Sequence, residues 1–188
     1  MKILIQSILF ILIVGIFAIT SDQLSRIENA TTMGATIGAK NVMSDAEFLD
    51  NAIPHHEGAV IMAQVVLENS ERPELRNFAQ SVITGESKSI AQLYEWRRDW
   101  YGKQDRIFLD QVSPKVSMII DLGEKDPEFD LRFLEAMIAH HQGAINMLQG
   151  ILIPTARPEI HSTATAGVVA LAADINTMQQ WKKDWYGK

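Results

Sequence analysis

Cysteine is missing from all 188 residues. Its absence excludes disulfides, iron–sulfur clusters, thiolate zinc sites, covalently attached c-type haem and a cysteine nucleophile. Any metal must therefore be held by histidine, methionine or carboxylate. Positive charge is also scarce: 17 Lys and Arg stand against 23 Asp and Glu, a formal net charge of -6. The basic residues gather into nothing longer than pairs such as Arg97 and Arg98. Such a balance repels a phosphate backbone, so no nucleic-acid partner is expected. No nucleophile with a base partner, phosphate-cradling glycine loop or carboxylate pair stands out, and the chain does not read as an enzyme. What is present is 47% hydrophobic and 21% charged, the composition of a globular protein with a core of its own.

One long apolar run exists. Lys2 precedes residues 3–19, which are broken only by Gln6, Ser7 and Gly15 and followed by Thr20, Ser21 and Asp22. This is an export segment. Residues 1–21 read either as a signal peptide, with Ala18 and Thr20 as small residues at a weak cleavage site, or as an N-terminal membrane anchor of nearly spanning length. With no cysteine behind it, a lipoprotein anchor is excluded. No second spanning run follows, so the working part is expected to be periplasmic or otherwise extracytoplasmic, with membrane contact only through this segment. Removing the segment and its Lys2 takes the formal charge from -6 to -7. Residues 22–43, rich in Ala, Thr and Gly and including Met33 and Met43, read as a flexible lead.

The rest of the chain is one unit written twice. Residues 45–103 align with residues 130–188 at a constant offset of 85 without a gap, and roughly 22 of the 59 pairs are identical. HHEGAVIM at 55–62 answers HHQGAINM at 140–147. Arg72, Pro73 and Glu74 answer Arg157, Pro158 and Glu159, and WRRDWYGK at 96–103 answers WKKDWYGK at 181–188.

Each unit reads as a helix hairpin. Ser44 with Glu47 forms a capping-box pattern, and Asp126 before Pro127 reads as an N-cap with proline at the first helical position. Phe48, Ala52, His55, Ala59, Met62 and Val66 recur at steps of four and three beside Leu49, Ile53, His56, Val60, Ala63 and Leu67. That spacing predicts a buried stripe two positions wide. The second unit repeats it with Phe133, Met137, His140, Ala144, Met147 and Ile151 beside Leu134, Ile138, His141, Ile145, Leu148 and Leu152. Pro73 and Pro158 open the second helices, which stop at Gly102 and Gly187. Pro54 should kink the first helix just before its histidines. Two such hairpins bury their faces most simply against each other, giving an all-α antiparallel four-helix bundle over residues 44–188 with an internal pseudo-twofold axis. The long connection, residues 104–129, has apolar positions of its own (Ile107, Val112, Val116, Ile119, Ile120, Leu122) and is expected to cross the bundle with one or two short helices.

Four of the five histidines form the two pairs, His55 with His56 and His140 with His141, on otherwise apolar stripes. A single histidine there would be a hydrogen-bonded core residue. Four imidazoles need partners that such stripes do not supply, whereas a metal ion satisfies a ring nitrogen directly. Met62 and Met147 stand two helical turns beyond His55 and His140 on the same face. Di-iron bundles need Glu-x-x-His, but Ala52, Ile53, Met137 and Ile138 occupy those positions. Zinc hydrolases space their histidines by four, and these are adjacent. Histidine with methionine selects copper, thioether favouring Cu(I) and imidazole accepting Cu(I) or Cu(II). Glu86, Ser89 and Asp174 are candidate outer partners of the histidines. His161 reads as a surface residue, Met118 and Met178 as core, and Trp96, Trp100, Trp181 and Trp185 as packing at the bundle end.

The repeated HHxGAxxM, the Pro-Glu that follows and the terminal WxxxW resemble the family called domain of unknown function 305, over nearly the whole chain after residue 43. The resemblance implies a ferritin-like helical fold, copper binding through Met and His of the repeated motif, and protection against excess copper. By position it assigns Met137, His140, His141 and Met147 in the second unit, and His55, His56 and Met62 in the first, where Ala52 replaces the leading Met. The second unit is therefore expected to bind more tightly. The function expected is a non-enzymatic extracytoplasmic copper buffer or carrier contributing to copper resistance, its partners being copper ions and a copper-exporting or copper-sensing membrane protein. Two other functions compete with it: an electron-transfer bundle holding non-covalent haem between a Met and a His, and a metal-free structural bundle.

Overall fold

A computed structural model describes residues 43–153 and 156–188; the expected export segment and all of the expected lead before Met43 lie outside the described residues. Helix α1 (Asp45–Asn69) starts at the capping box: the Ser44 hydroxyl accepts the Glu47 N–H at 3.3 Å, and the Glu47 carboxylate accepts the Ser44 N–H at 2.9 Å. Two of the orphan amides at the helix start are satisfied in this way. The helix runs on unbroken through the buried Pro54. Helix α2 (Pro73–Tyr101) begins with proline, whose missing N–H would have had no helical partner, and ends on Gly102 at φ 65°. Its counterpart α5 (Pro158–Tyr186) does the same, ending on Gly187 at φ 65°.

Between the hairpins lie a single 3-10 turn at Leu109–Gln111, a one-turn helix α3 (Pro114–Ser117) and the buried Leu122, while Ile119 and Ile120 stay exposed. Helix α4 (Phe129–Ile151) begins later than Asp126–Pro127 predicts. Ahead of it Arg132 holds the Asp126 carboxylate through contacts of 2.9 and 3.0 Å while the same carboxylate accepts the Glu128 N–H. Residues 126–128 are thereby fixed as a turn ahead of the helix.

Helix α1 packs along α2 and α4 along α5; α1 and α4 meet antiparallel, and α3 lies against α1. The result is an antiparallel four-helix bundle with two apolar clusters. One joins the second half of α1 to the start of α4 through Met62, Val66, Leu75, Phe129, Phe133, Met137 and Met178. The other joins the first half of α1 to the end of α4 through Phe48, Leu49, Ile53, Leu93, Ile151 and Ile160. The histidines sit where the two clusters meet.

The repeat is visible in the polar contacts as well. Arg72 reaches Asp130 at 3.2 Å and lies 4.4 Å over the Trp185 ring; at the opposite end Arg157 reaches Asp45 at 3.7 Å and lies 4.6 Å over Trp100. Trp96 stacks on Trp100 at 5.0 Å, and Trp181 on Trp185 at 5.3 Å. Arg97 pairs with Asp50 at 2.7 Å, as the aligned Lys182 pairs with Glu135 at 2.9 Å. Fully burying one phenylalanine is worth about 2–3 kcal/mol and an exposed ion pair about 0–1 kcal/mol. Phe48, Phe129 and Phe133 therefore contribute more to stability than the ion pairs, of which Arg72–Asp130 and Arg157–Asp45 join the two hairpins and Arg97–Asp50 and Lys182–Glu135 lie within one hairpin each.

Candidate metal centre

Because α1 and α4 cross antiparallel at their middles, equivalent positions of the two repeats face each other. The rings of His55 and His140 lie 3.8 Å apart between centroids and are tilted by 47°. Both are buried, 3% and 2% exposed. The His140 Nε2–H donates to the His55 carbonyl oxygen at 3.2 Å. A carbonyl can only accept, so Nε2 carries the proton and Nδ1 keeps a lone pair. His55 Nε2 has no hydrogen-bond partner. His141, 2% exposed, has none at either ring nitrogen, although its Nε2 lies 3.4 Å from the Asp174 carboxylate. The contact lacks hydrogen-bond alignment. His56 is half-buried, and its Nδ1 is bonded to the Glu86 carboxylate.

These surroundings divide the imidazoles by protonation. Burial holds His55 down to about 2, reinforced by the neighbouring His140, His56 and His141. Burial and the adjacent His141 bring His140 down to about 4, against the opposing pull of Glu86. Burial also acts against a charged His56, but the Glu86 carboxylate outweighs it and the net shift is upward. The His56 pairing likewise overcomes burial at Glu86 and holds that carboxyl below its usual range. His55 and His140 are thus neutral bases at ordinary pH, the form in which imidazole ligates metal. His56 is tied to an anion.

The methionines divide by cluster. Met62 and Met137 are fully buried in the same cluster on one side of the histidines, contributed by α1 and α4 respectively. Met147 packs half-buried on the other cluster, across from the Ala52 side. The antiparallel crossing thus carries Met137 away from Met147 and into the cluster of Met62, which also holds Met178. Among the described residues, no group of three or more His, Asp or Glu is gathered to hold an ion.

Glu86 and Asp174 do face the histidines from the second helices, while Ser89 turns instead to the Gly85 carbonyl. Their positions break the repeat, Glu86 aligning with Leu171 and Asp174 with Ser89. His161 is exposed, and Met178 is core. Sequence reasoning missed the part played by the connection. A Cβ at Gly58 would lie 2.1 Å from the Ser117 carbonyl oxygen, and one at Gly143 would lie 2.4 Å from Met118 Sδ. The two glycines that follow the histidine pairs are thus where residues 117–118 lie directly on α1 and α4. The matched glycines signalled a close approach; nothing in the pattern said which segment approaches.

Residues 45–182 match the family model described as domain of unknown function (DUF305). Among solved structures, CopM in the Cu(II)-bound form is similar with a TM-score of 0.65 and 28% identity over 77% of this chain and 99% of that one. CopM in the Cu(I)-bound form gives a TM-score of 0.62 at 28% identity, with the same coverage. A DUF305 fragment from Deinococcus radiodurans gives 0.60 at 26% identity, covering 72% of this chain and 93% of the fragment. No curated protein matches the chain. Motif, bundle and family model agree over the same residues, and the chain belongs to the DUF305 family.

Proposed function

We propose that this protein is a non-enzymatic, extracytoplasmic copper buffer or carrier that contributes to copper resistance. The observation that carries the reading is the set of buried, unpartnered imidazole nitrogens on His55 and His141 beside the neutral His140. A buried polar atom without a partner is costly, and an ion bound there removes the cost. Met62, Met137 and Met147 flank these rings from the two clusters. Among the described residues no three His, Asp or Glu gather, and thioethers added to the imidazoles make a donor set that suits copper. His56, paired to Glu86, lies at the margin of the set. The likeness to CopM, solved with Cu(I), Cu(II) and silver, supports the same choice. Placement outside the cytoplasm is supported by the apolar N-terminal run. On this reading the copper is exchanged with a copper-exporting or copper-sensing membrane protein.

The test is an anaerobic Cu(I) titration of residues 22–188 against a competing chelator, repeated with Met137→Leu/Met147→Leu and with His55→Ala/His140→Ala. Tight uptake that falls in both double variants, with helix content retained, is the expected result. Uptake that the chelator abolishes equally in all three proteins overturns the reading.

A further inference from the structure

Met118 belongs to neither repeat. It lies in the connection, directly after α3, and its thioether points into the bundle. A Cβ on Gly143 would be 2.4 Å from Met118 Sδ and 3.7 Å from His55 Nε2. The Met118 thioether therefore fills the space that the missing side chain of Gly143 leaves, and the unpartnered ring nitrogen of His55 borders the same space. His55 is 3% exposed and its Nε2 has no other partner.

The backbone holds the sulfur there. Met118 is the only residue besides glycine with positive φ among the described residues, at φ 48° and ψ 33°. This conformation is uncommon for a residue with a side chain and persists where its surroundings enforce it. Here the Met118 N–H donates to the Pro114 carbonyl at 2.9 Å, and the neighbouring Ser117 is buried against Gly58. Met118 is the left-handed C-cap of α3, which fixes the backbone where the connection turns over Gly143. On its outer side half-buried Met118 lines a shallow surface pocket with Pro114, Lys115, Ile119 and Ile120. It thus stands between solvent and His55.

We infer that Met118 is a metal ligand: its thioether joins His55 Nε2 on the bound ion and is the first buried donor that an incoming soft monovalent ion meets. The inference rests on the copper-binding reading and deepens it by one residue outside the repeated motif. Thioether sulfur prefers Cu(I) and Ag(I) over Cu(II), so the contribution of Met118 depends on the ion.

Two measurements on the full chain test it. In the unsubstituted protein, the methyl carbon resonance of Met118 should shift with the first equivalent of Ag(I), while that of the core residue Met178 stays in place. In Met118→Leu, affinity for Cu(I) and Ag(I) should fall roughly tenfold or more, with Cu(II) affinity nearly unchanged. An unmoved Met118 methyl overturns the inference even if the variant binds more weakly, because the residue then only positions the connection. Unchanged affinity in Met118→Leu overturns it as well and leaves the copper reading standing. Failure of the unsubstituted chain to take up Cu(I) removes that reading and this inference together.

Discussion

At the scale of single residues, the centre is a set of buried polar atoms left without partners. His141 shows this most plainly: both ring nitrogens are unbonded at 2% exposure, and the ring lies 6.4 Å from that of Phe78. Replacing a buried unsatisfied group with an apolar one of similar volume removes a desolvation cost and is neutral or stabilising. His141→Leu should therefore melt no lower than the unsubstituted protein in the presence of chelator, while its copper affinity falls. A large drop in melting temperature would instead give His141 a purely structural role. The adjacent glycines separate two kinds of crowding. Gly58→Ala drives a Cβ against the backbone carbonyl of Ser117, which cannot move without shifting α3, and should cost about 1–3 kcal/mol in chemical denaturation. Gly143→Ala meets only the flexible end of Met118, so its effect should fall on metal uptake more than on stability.

At the scale of helices, the capping signals and glycine stops did most of the specifying. Ser44 and Glu47 close the capping box seen in the sequence, and Ser44→Ala should lower stability by about 1 kcal/mol in thermal or urea unfolding. Gly85 in mid-α2 has nothing within 4 Å of where a Cβ would stand, so Gly85→Ala should raise stability by about 0.5–1 kcal/mol through helix propensity alone. The stripes were legible because the steps of four and three in Phe48, Ala52, His55, Ala59 and Met62 are the period of a helix with one buried face, and those residues are buried. The start of α4 was less legible: Asp126 accepts the Glu128 N–H as a cap would, but Arg132, six residues away, also holds its carboxylate, and residues 126–128 form a turn ahead of the helix. The grouping of the candidate ligands was not legible at all. Sequence places Met137 beside Met147 in one repeat, and only the antiparallel crossing of α1 and α4 brings Met137 into the cluster of Met62.

At the scale of the whole molecule, charge binds the α1–α2 hairpin to the start of the connection. Asp50 receives Arg97 at 2.7 Å and Lys103 at 2.6 Å, and Arg97, 4% exposed, also holds Asp105 at 2.9 Å. Burial alone would raise the Asp50 carboxyl, yet the two cations outweigh it and the net shift is below 3.8. A carboxyl lowered on folding contributes stability that is fully present above 3.8 and is lost as pH falls through the lower folded value. Unfolding monitored by circular dichroism should therefore show stability declining in that acid window, and Asp50→Asn should flatten the decline. If the variant keeps the same acid dependence, the network does not link charge to folding.

The reciprocal contacts between the repeats have a further consequence. Arg72 with Asp130 and Trp185, and Arg157 with Asp45 and Trp100, form a seam in which each half offers what the other receives. Such self-complementarity is that of an isologous dimer, so a lone hairpin could meet its own copy across the same surface. Covalent fusion of the halves lifts the requirement that the two be identical. One half can then carry Met137 where the other has Ala52, Glu86 can appear in one half alone, and a single connection can bring one Met118 to one histidine, which a symmetric pair of separate subunits would have to duplicate.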